Sequence, residues 1–454
     1  MEGTVAQFEE GTVVQFEEGT VVQFEEGTVA QFEEGTVAQS EATSDVGYEV
    51  PRECLERYAD LLVNYALGSG AGIAPGDVVW LQAPESAKPL YAELCRAVWR
   101  AGGMTISGYR PDADADTNLE RDFYEIASEE QISRFLKRYM RGIAEEVDHL
   151  IQIEAEADPH ALSATDPAKI LTREVAQRPM SRWLDDKESA GKFSWTIGLY
   201  GTEAMAAEAR LTLREYWEQI IAACFLDHED PKAEWRAVES QIQATVAALC
   251  ALPIDTLHVR GDDVDLRVAL GERRRWVGGE GKNIPSFEIF TSPDWRGTEG
   301  RIRFSEPLYT HGNLITGVEL EFAGGRVVRA RAAENEPLLT EMLAAENADR
   351  VGEFSLTDAR FSRITKFMAT TLYDENVGGP FGNTHIAVGR AYRDCYAGDP
   401  TELASEDWDR LGFNDSPIHT DIVSTTDREV TATLRDGSTR TIYAGGHFQL
   451  DALA

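Results

Sequence analysis

Lysine is scarce in this chain. Only 8 of its 43 basic residues are lysine, set against 79 Asp and Glu, and the net charge is −36 over 454 residues. Such a surface repels phosphate backbones and anionic membranes, so neither nucleic acid nor membrane is an expected partner. Many carboxylates with few lysines suit a protein dissolved in concentrated salt, where a Debye length of about 3 Å screens self-repulsion. A salt-adapted protein, less stable at low ionic strength, is expected. Cysteine is also thin. Cys54, Cys95, Cys224, Cys250 and Cys395 are scattered, odd in number and without Cys-x-x-Cys spacing. They imply no disulfide framework and read mostly as small buried hydrophobes. No apolar run approaches about 18 residues, which excludes a spanning helix. The N-terminus is acidic and lacks an apolar stretch, so it does not read as a signal peptide, and a cytoplasmic location is expected.

Residues 2–41 are five copies of one octapeptide, EGTVAQFE and its near-identical variants. An even period would hold each residue type on one face of a strand. Each copy, however, carries two Glu, one Gly and no basic residue, leaving too little apolar area to offset ordering. Residues 1–46 are therefore expected to be disordered and outside the fold.

At 454 residues the chain can bury a large core and is expected to split into about two or three domains. From Pro51 the pattern alternates between helices and strands. "CLERYADLLVNYALG" sets Leu55, Tyr58, Leu62 and Tyr65 on one helical face, and "SAKPLYAELCRAVWRAGG" does the same with Leu90, Leu94 and Val98. "DVVWLQAP", "MTISGYR" and "HLIQIEAEAD" read as strands. One helix is predicted over "SEEQISRFLKRYMRGIAEEVD", opened by a Ser128–Gln131 capping box. Strand–helix–strand order implies a parallel sheet. No Gly-x-Gly-x-x-Gly or Gly-x-x-x-x-Gly-Lys-Ser follows these strands, which excludes a dinucleotide or P-loop site there. Residues 160–250 are expected to be mainly helical, ending in a helix capped by Asp230 with Trp235, Val238, Ile242, Val246 and Leu249 on its apolar stripe. After Pro253 the period moves toward two. Hairpins are predicted at "TLHVRGDDVDLRVAL", about Gly324-Gly325 and about Asp436-Gly437, with one longer helix around 336–349. The expected architecture is an α/β N-terminal domain with a mainly parallel sheet over 47–255. An α+β C-terminal domain rich in antiparallel sheet follows over 256–454.

Four stretches of this second half carry metal-ligand residue types: "NIPSFEIFTSP" with Glu288, "VGEFSLTD" with Glu353, "NTHIAVGRAYRD" with His385 and Tyr392, and "SPIHTDIV" with His419 and Asp421. Each alone reads more simply as an edge carboxylate or a packed histidine. A helix over the third stretch would put His385 and Tyr392, seven apart, on one face. A strand at 418–423 would put His419 and Asp421 on one face. Together, two Glu, two His and one Asp suit a pair of divalent ions such as Zn, Co or Mn, and hence hydrolysis by activated water, with a glutamate as base and a tyrosine as oxyanion donor.

In this order and near this spacing the four stretches resemble the thermophilic aminopeptidases, the aminopeptidase T and aminopeptidase S family of metallopeptidases. "FEIFTSP" is similar to the family's Glu-Val-Phe-Thr-Ala-Pro, "GEFSL" to its Gly-Glu-apolar-x-Leu, "LYDENVGGPFGNTHIAVGRAY" to its Asp-Glu-Asn/Lys…His-Ile-Ala-Leu-Gly…Tyr run, and "NDSPIHTDIV" to its Ser-x-x-His-x-Asp close. The likeness runs over roughly residues 50–450. It implies metal ligands Glu288, Glu353, His385, His419 and Asp421, with Glu353 as the candidate general base and Tyr392 as a catalytic or ligand-sphere residue. It implies two divalent ions (Zn, Co, Mn or Mg), peptide substrates with a free N-terminus, and a homodimer. Phe287 stands where many members have Gly, and "GGPFGN" lengthens the chain between Glu375 and His385, so Glu375 is not placed among the ligands. Two other readings remain open here. One is a two-metal hydrolase of a non-peptide amide or ester; the other is a non-catalytic binding or assembly protein.

Overall fold

A computed structural model describes residues 47–113, 117–279, 281–310 and 313–450, with four short strands inside the octapeptide tract. Two compact units divide the chain, Met1–Gly47 and Tyr48–Ala454. In the first, Val5–Gln7 pairs antiparallel with Val29–Gln31, and Val13–Gln15 with Val21–Gln23. Apart from these strands, the disorder expected of residues 1–46 concerns positions outside the described residues.

The second unit begins with a parallel sheet. Its strands are β1 (Val78–Pro84), β2 (Met104–Arg110), β3 (His149–Glu154) and β4 (Ser194–Leu199), in the order β2-β1-β3-β4. All three neighbouring pairs are parallel. Helix α1 (Arg52–Leu61) runs on through one wider turn, Leu62–Ala66, and buries Leu55, Tyr58, Leu62 and Tyr65, the predicted stripe. Helix α2 (Lys88–Arg100) buries Leu90, Leu94 and Val98. Each such side chain withdrawn from water contributes about 1.5–3 kcal/mol. The first three strands lie where the sequence placed them.

One sequence expectation fails in this half, and one strand was not foreseen. The helix opened by Ser128 has its capping box but stops at Ile132, and α3 (Lys137–Glu146) starts afresh. The break lets Phe135 reach Trp183 of α4 (Pro167–Ser189), ring centroids 5.6 Å apart, so tertiary packing overrides helical propensity. Residues 160–250 are mainly helical, as expected, with helices over Pro167–Ser189, Glu203–Glu208, Leu213–Ala223 and Pro231–Cys250, but they also contain the strand β4. Its aromatic and β-branched "SWTIGL" is a strand signal. β4 is extended by the chain beyond it: Ile197 N–H donates to Lys282 O at 2.9 Å, and Ile284 N–H to Ile197 O at 3.0 Å. The parallel sheet thereby holds the segment that leads into Glu288. Helix α5 (Pro231–Cys250) starts at the Asp230 cap and buries Trp235, Ile242 and Leu249.

From Ile254 onward the sheets are antiparallel. The strands are β5 (Ile254–Gly261), β6 (Val264–Ala269), β7 (Glu288–Thr291), β8 (Glu299–Arg303), β9 (Glu319–Ala323), β10 (Arg326–Arg331), β11 (Val351–Thr357), β12 (Asn383–Gly389), β13 (His419–Ser424), β14 (Glu429–Leu434), β15 (Thr439–Ala444) and β16 (His447–Phe448). An eight-stranded sheet has the order β10-β9-β8-β6-β5-β14-β15-β16, and a four-stranded one β7-β11-β12-β13. The three predicted hairpins are present; Gly324 and Gly325 both take positive φ, 59° and 75°, as a tight two-residue turn requires. The helix expected around 336–349 is shorter, α6 (Glu336–Leu343). Asn347, at φ 57°, turns the chain away and donates its amide to Asp415 O at 2.9 Å. Among the described residues no helix is long and apolar enough to cross a membrane. The five cysteines are unpaired, and all but Cys250 are buried.

Candidate metal centre

The four-stranded sheet has one apolar face and one polar face, and both are covered: every residue of β11 and β12 is buried. Strand alternation puts Ile289, Phe354, Leu356, Ile386 and Ile422 toward the core. The opposite face carries Glu288, Glu353, Ser355, His385, His419 and Asp421. The register makes them neighbours. His385 lies opposite Ser355 and Val423; Ala387 lies opposite Glu353 and Asp421; Gly389 lies opposite His419; Glu288 lies opposite Thr357. A buried face this polar costs folding free energy, which marks it as retained for something other than packing.

The side chains meet. His385 Nε2 is 3.2 Å from Glu288 Oε2, 3.1 Å from Glu353 Oε1 and 3.8 Å from Asp421 Oδ1. His419 Nε2 is 3.5 Å from Asp421 Oδ1 and 3.8 Å from Glu353 Oε2. Glu288, Glu353 and His385 each offer a ligand atom within 4.8 Å of the others. All five residues singled out in the sequence therefore converge on one point. His419 and Asp421 share a strand face, as the period of two predicted. His385 and Tyr392 do not share a helix: His385 is in β12, and Tyr392 lies in the turn after it. Tyr392 reaches the site from that turn. Its ring is 4.7 Å from the His419 ring and 5.8 Å from Phe290, and its N–H donates to Ser292 Oγ at 2.8 Å.

Local backbone features aim these groups. Gly352 sits at the irregularity in β11 just before Glu353, where a Cβ would lie 2.3 Å from Arg390 O. Gly389 takes φ 100°, and a Cβ there would lie 2.2 Å from Ile418 O. Only glycine lets the two strands close at these points. The same turn brings Arg390 O to 2.7 Å from His419 Nδ1. A carbonyl only accepts, so Nδ1 carries a proton and Nε2 is the nitrogen turned toward the carboxylates, where a bound cation would take the place of its proton, the arrangement that orients an imidazole ligand. Phe287, the departure noted before the first glutamate, is fully buried and stacks on Trp235 of α5 at 5.0 Å. Its N–H donates to Asn376 Oδ1 at 2.6 Å. Ring and amide together clamp the start of β7, and hence Glu288.

One acid was left out by the sequence reading. Glu375 is buried beside the cluster, accepting from Asn283 at 3.4 Å and Asn376 at 3.3 Å through Oε1. The neighbouring "GGPFGN" loop hid it, because spacing to His385 was the only available guide. Asn383 is the signal that ties the two: its amide donates to Glu375 O at 2.9 Å while its carbonyl oxygen lies 3.4 Å from His385 Nδ1.

The electrostatics have one sign. Glu288, Glu353, Glu375 and Asp421 are buried together, and among the described residues their ion pairs are to His385 and His419 alone. Burial, with Glu288 and Asp421 adding negative charge, pushes the Glu353 carboxyl up to about 7. Burial, then the same neighbours, pushes Glu375 well up. Burial alone would lower the imidazoles, yet Glu288 and Glu353 hold His385 well above its usual range, and Asp421 with Glu353 raises His419 to about 9. Burial opposes ionisation of Asp421, but His419 and His385 hold its carboxyl below the ordinary range. Asp421 Oδ1 is nevertheless buried without a hydrogen-bond partner. An excess of buried negative charge, an orphaned carboxylate oxygen and two imidazole nitrogens make a donor set that fits divalent cations of the Zn, Co or Mn kind.

Comparisons with known proteins agree with this chemistry. The family described as "Thermophilic metalloprotease (M29)" matches residues 52–448. The chain is 27% identical to Aminopeptidase 2 of Geobacillus stearothermophilus over 422 residues, 87% of this chain and 98% of the relative. It is 31% identical to Aminopeptidase T of Thermus aquaticus over 300 residues, 62% of this chain and 72% of the relative. The solved structure of wild-type AmpT from Thermus thermophilus superposes with TM-score 0.74 at 25% identity, covering 88% of this chain and all of that one. A 2,5-dihydroxypyridine dioxygenase from Pseudomonas putida KT2440 shares the fold at TM-score 0.51 and 13% identity. The fold alone therefore does not select the reaction.

Proposed function

The chain belongs to the thermophilic metalloprotease (M29) family and is a metal-dependent aminopeptidase; from that premise we propose that Glu288, Glu353, His385, His419 and Asp421 are its metal ligands and hold two divalent ions. The observation that carries this reading is the charge imbalance: four buried carboxylates answered by two imidazoles. Bound divalent ions supply Lewis-acid polarisation of a carbonyl and a lowered pKa for water at neutral pH. The chain's own groups do the rest. Glu353, buried against His385 and His419, takes the proton from the attacking water and passes it to the leaving amine. Tyr392 keeps its phenolic proton, because burial and then Glu353 and Asp421 oppose ionisation, and donates to the oxygen that becomes negative. His419 stays in one tautomer through Arg390 O. The surplus carboxylate meets the α-ammonium of a peptide, which sets the requirement for a free N-terminus.

Further parts of the same proposal are a catalytic domain over 256–454, an α/β domain over 47–255, a homodimer, a cytoplasmic location and adaptation to salt. The test of function is release of the first residue from aminoacyl-nitroanilides by metal-loaded protein. Activity abolished by a chelator, restored by cobalt, zinc or manganese, and lacking on N-acetylated substrates is the expected result. Equal cleavage of N-acetylated and free substrates would transfer the reading to a general amide or ester hydrolase.

A further inference from the structure

A cavity of about 600 Å³ opens at the carboxyl end of the parallel sheet, a size typical of ligand sites, which run to about 300–1,000 Å³. Ser86, just past β1, and Tyr200 to Thr202, just past β4, contribute to its wall. In open α/β sheets the crevice beyond the carboxyl ends of the strands is where ligands bind. No residue of the metal centre lines it.

Its polar part is incomplete. Glu93 is only 3% exposed. Its Oε1 accepts from Arg52 Nε at 3.0 Å and Arg96 Nη1 at 2.6 Å, while Oε2 is buried with no partner. Ser86 belongs to the same lining, and its Oγ is likewise buried and unpartnered. Two such orphaned groups in one cavity wall point to a missing donor. Arg52 is the part of the lining able to move. Its side chain is 66% exposed, and Nε also lies 3.1 Å from Glu56 Oε1, so it can leave Glu93 without losing every partner. Glu49 and Thr202 add polar groups to the wall, and Trp217, Leu213 and Val50 supply its apolar part.

We propose that this cavity binds a free α-amino acid with an apolar side chain. The α-ammonium donates to Glu93 Oε2 and Ser86 Oγ. The α-carboxylate takes the guanidinium of Arg52 or Arg96 as it swings from Glu93. The side chain lies against Trp217 and Leu213. Each charge of the zwitterion meets its opposite, and both orphaned atoms gain a donor. The site thus senses the chemical class that peptide hydrolysis releases. An N-terminal residue of a peptide would supply the ammonium but no adjacent carboxylate.

Calorimetric titration of leucine into the metal-loaded full chain tests this, with leucinamide and N-acetylleucine as comparison ligands. Saturable leucine binding is expected, weaker by about tenfold in Glu93→Gln and in Ser86→Ala, with kcat and KM for a leucyl-nitroanilide unchanged in both. Leucinamide and N-acetylleucine should each bind about tenfold more weakly than leucine. No saturable binding, or binding that neither variant weakens, overturns the site, since leucine held at the metal centre would ignore both changes. Leucinamide binding as tightly as leucine overturns the zwitterion. Should Glu93→Gln misfold, Ser86→Ala decides.

Discussion

Glu353 and Asp421 are separated by a single side chain, the methyl group of Ala387, which pairs with Glu353 of β11 on one side and with Asp421 of β13 on the other. Directly opposed Cβ atoms in such a sheet are about 4.5–5.5 Å apart, so a larger residue at 387 would stand between the two carboxylates. Ala387 is fully buried. Ala387→Leu is expected to keep the fold, at a cost of about 1–3 kcal/mol for overpacking, and to lose metal and activity together. Metal analysis of the purified variant, with circular dichroism to confirm folding, checks it. A folded Leu variant with full metal content would break the link between this register and the metal centre.

His419 gives a sharper test, because its two ring nitrogens have separate tasks. Nδ1 is anchored on Arg390 O, and Nε2 faces Asp421 and Glu353. His419→Ala should cut aminopeptidase activity by at least about 100-fold, the upper range for disturbing a metal ligand's support. It should also weaken metal retention on dialysis. The same variant with full activity would remove His419, and with it the His-x-Asp pair, from the ligand set.

Much of this site was legible because strand alternation is local. Once 419–424 is a strand, His419 and Asp421 must share a face, and Glu353 must share one with Ser355. The Gly-Gly and Asp-Gly turns likewise announce their hairpins, and the first three parallel strands announce themselves by apolar runs between helical stripes. What failed was non-local. Strand β4 is short and is held by β3 and by Lys282 and Ile284, distant in sequence. The helix after Ser128 yields to Trp183, distant in sequence. The seven-residue spacing of His385 and Tyr392 suggested a helix, yet both reach the site from a strand and the turn that follows. Glu375 was set aside on spacing alone, whereas its place beside the cluster is fixed by Asn283, Asn376 and Asn383.

Asp358, one residue beyond β11, offers a prediction about acid stability. It is fully buried, accepts from Arg360 Nε at 2.8 Å and Nη2 at 2.7 Å, and accepts from Phe448 N–H of β16 at 2.9 Å. Burial alone would raise its carboxyl, but the Arg360 fork and these N–H groups outweigh burial and hold it below the usual range. The unfolded value is about 3.9. The carboxylate therefore stabilises the fold fully above that pH, and the contribution is lost as pH falls through the lower folded value. Asp358→Asn should cost about 2–3 kcal/mol at neutral pH, measured by urea unfolding. The gap between variant and parent should close only below about pH 4. A gap independent of pH would mean that shape, not charge, is what Asp358 supplies.

The net charge makes the last prediction, and its sign is the informative part. Ion pairs such as Arg141–Glu145 and Arg260–Glu429 are largely exposed, and pairs of this kind weaken as salt rises. Were they the dominant surface term, the melting temperature would fall with ionic strength. A chain at −36 carries the opposite term, repulsion among carboxylates that lysine and arginine leave unanswered, and salt screens that as well. With 79 acids against 43 bases, repulsion outweighs pairing, and the melting temperature is expected to rise steadily from low to molar potassium chloride. Chloride is the salt of choice, since sulfate would raise it for any protein by strengthening apolar burial. A flat or falling curve in chloride would show that attraction already balances repulsion on this surface, and the reading of the acidic composition as salt adaptation would fall.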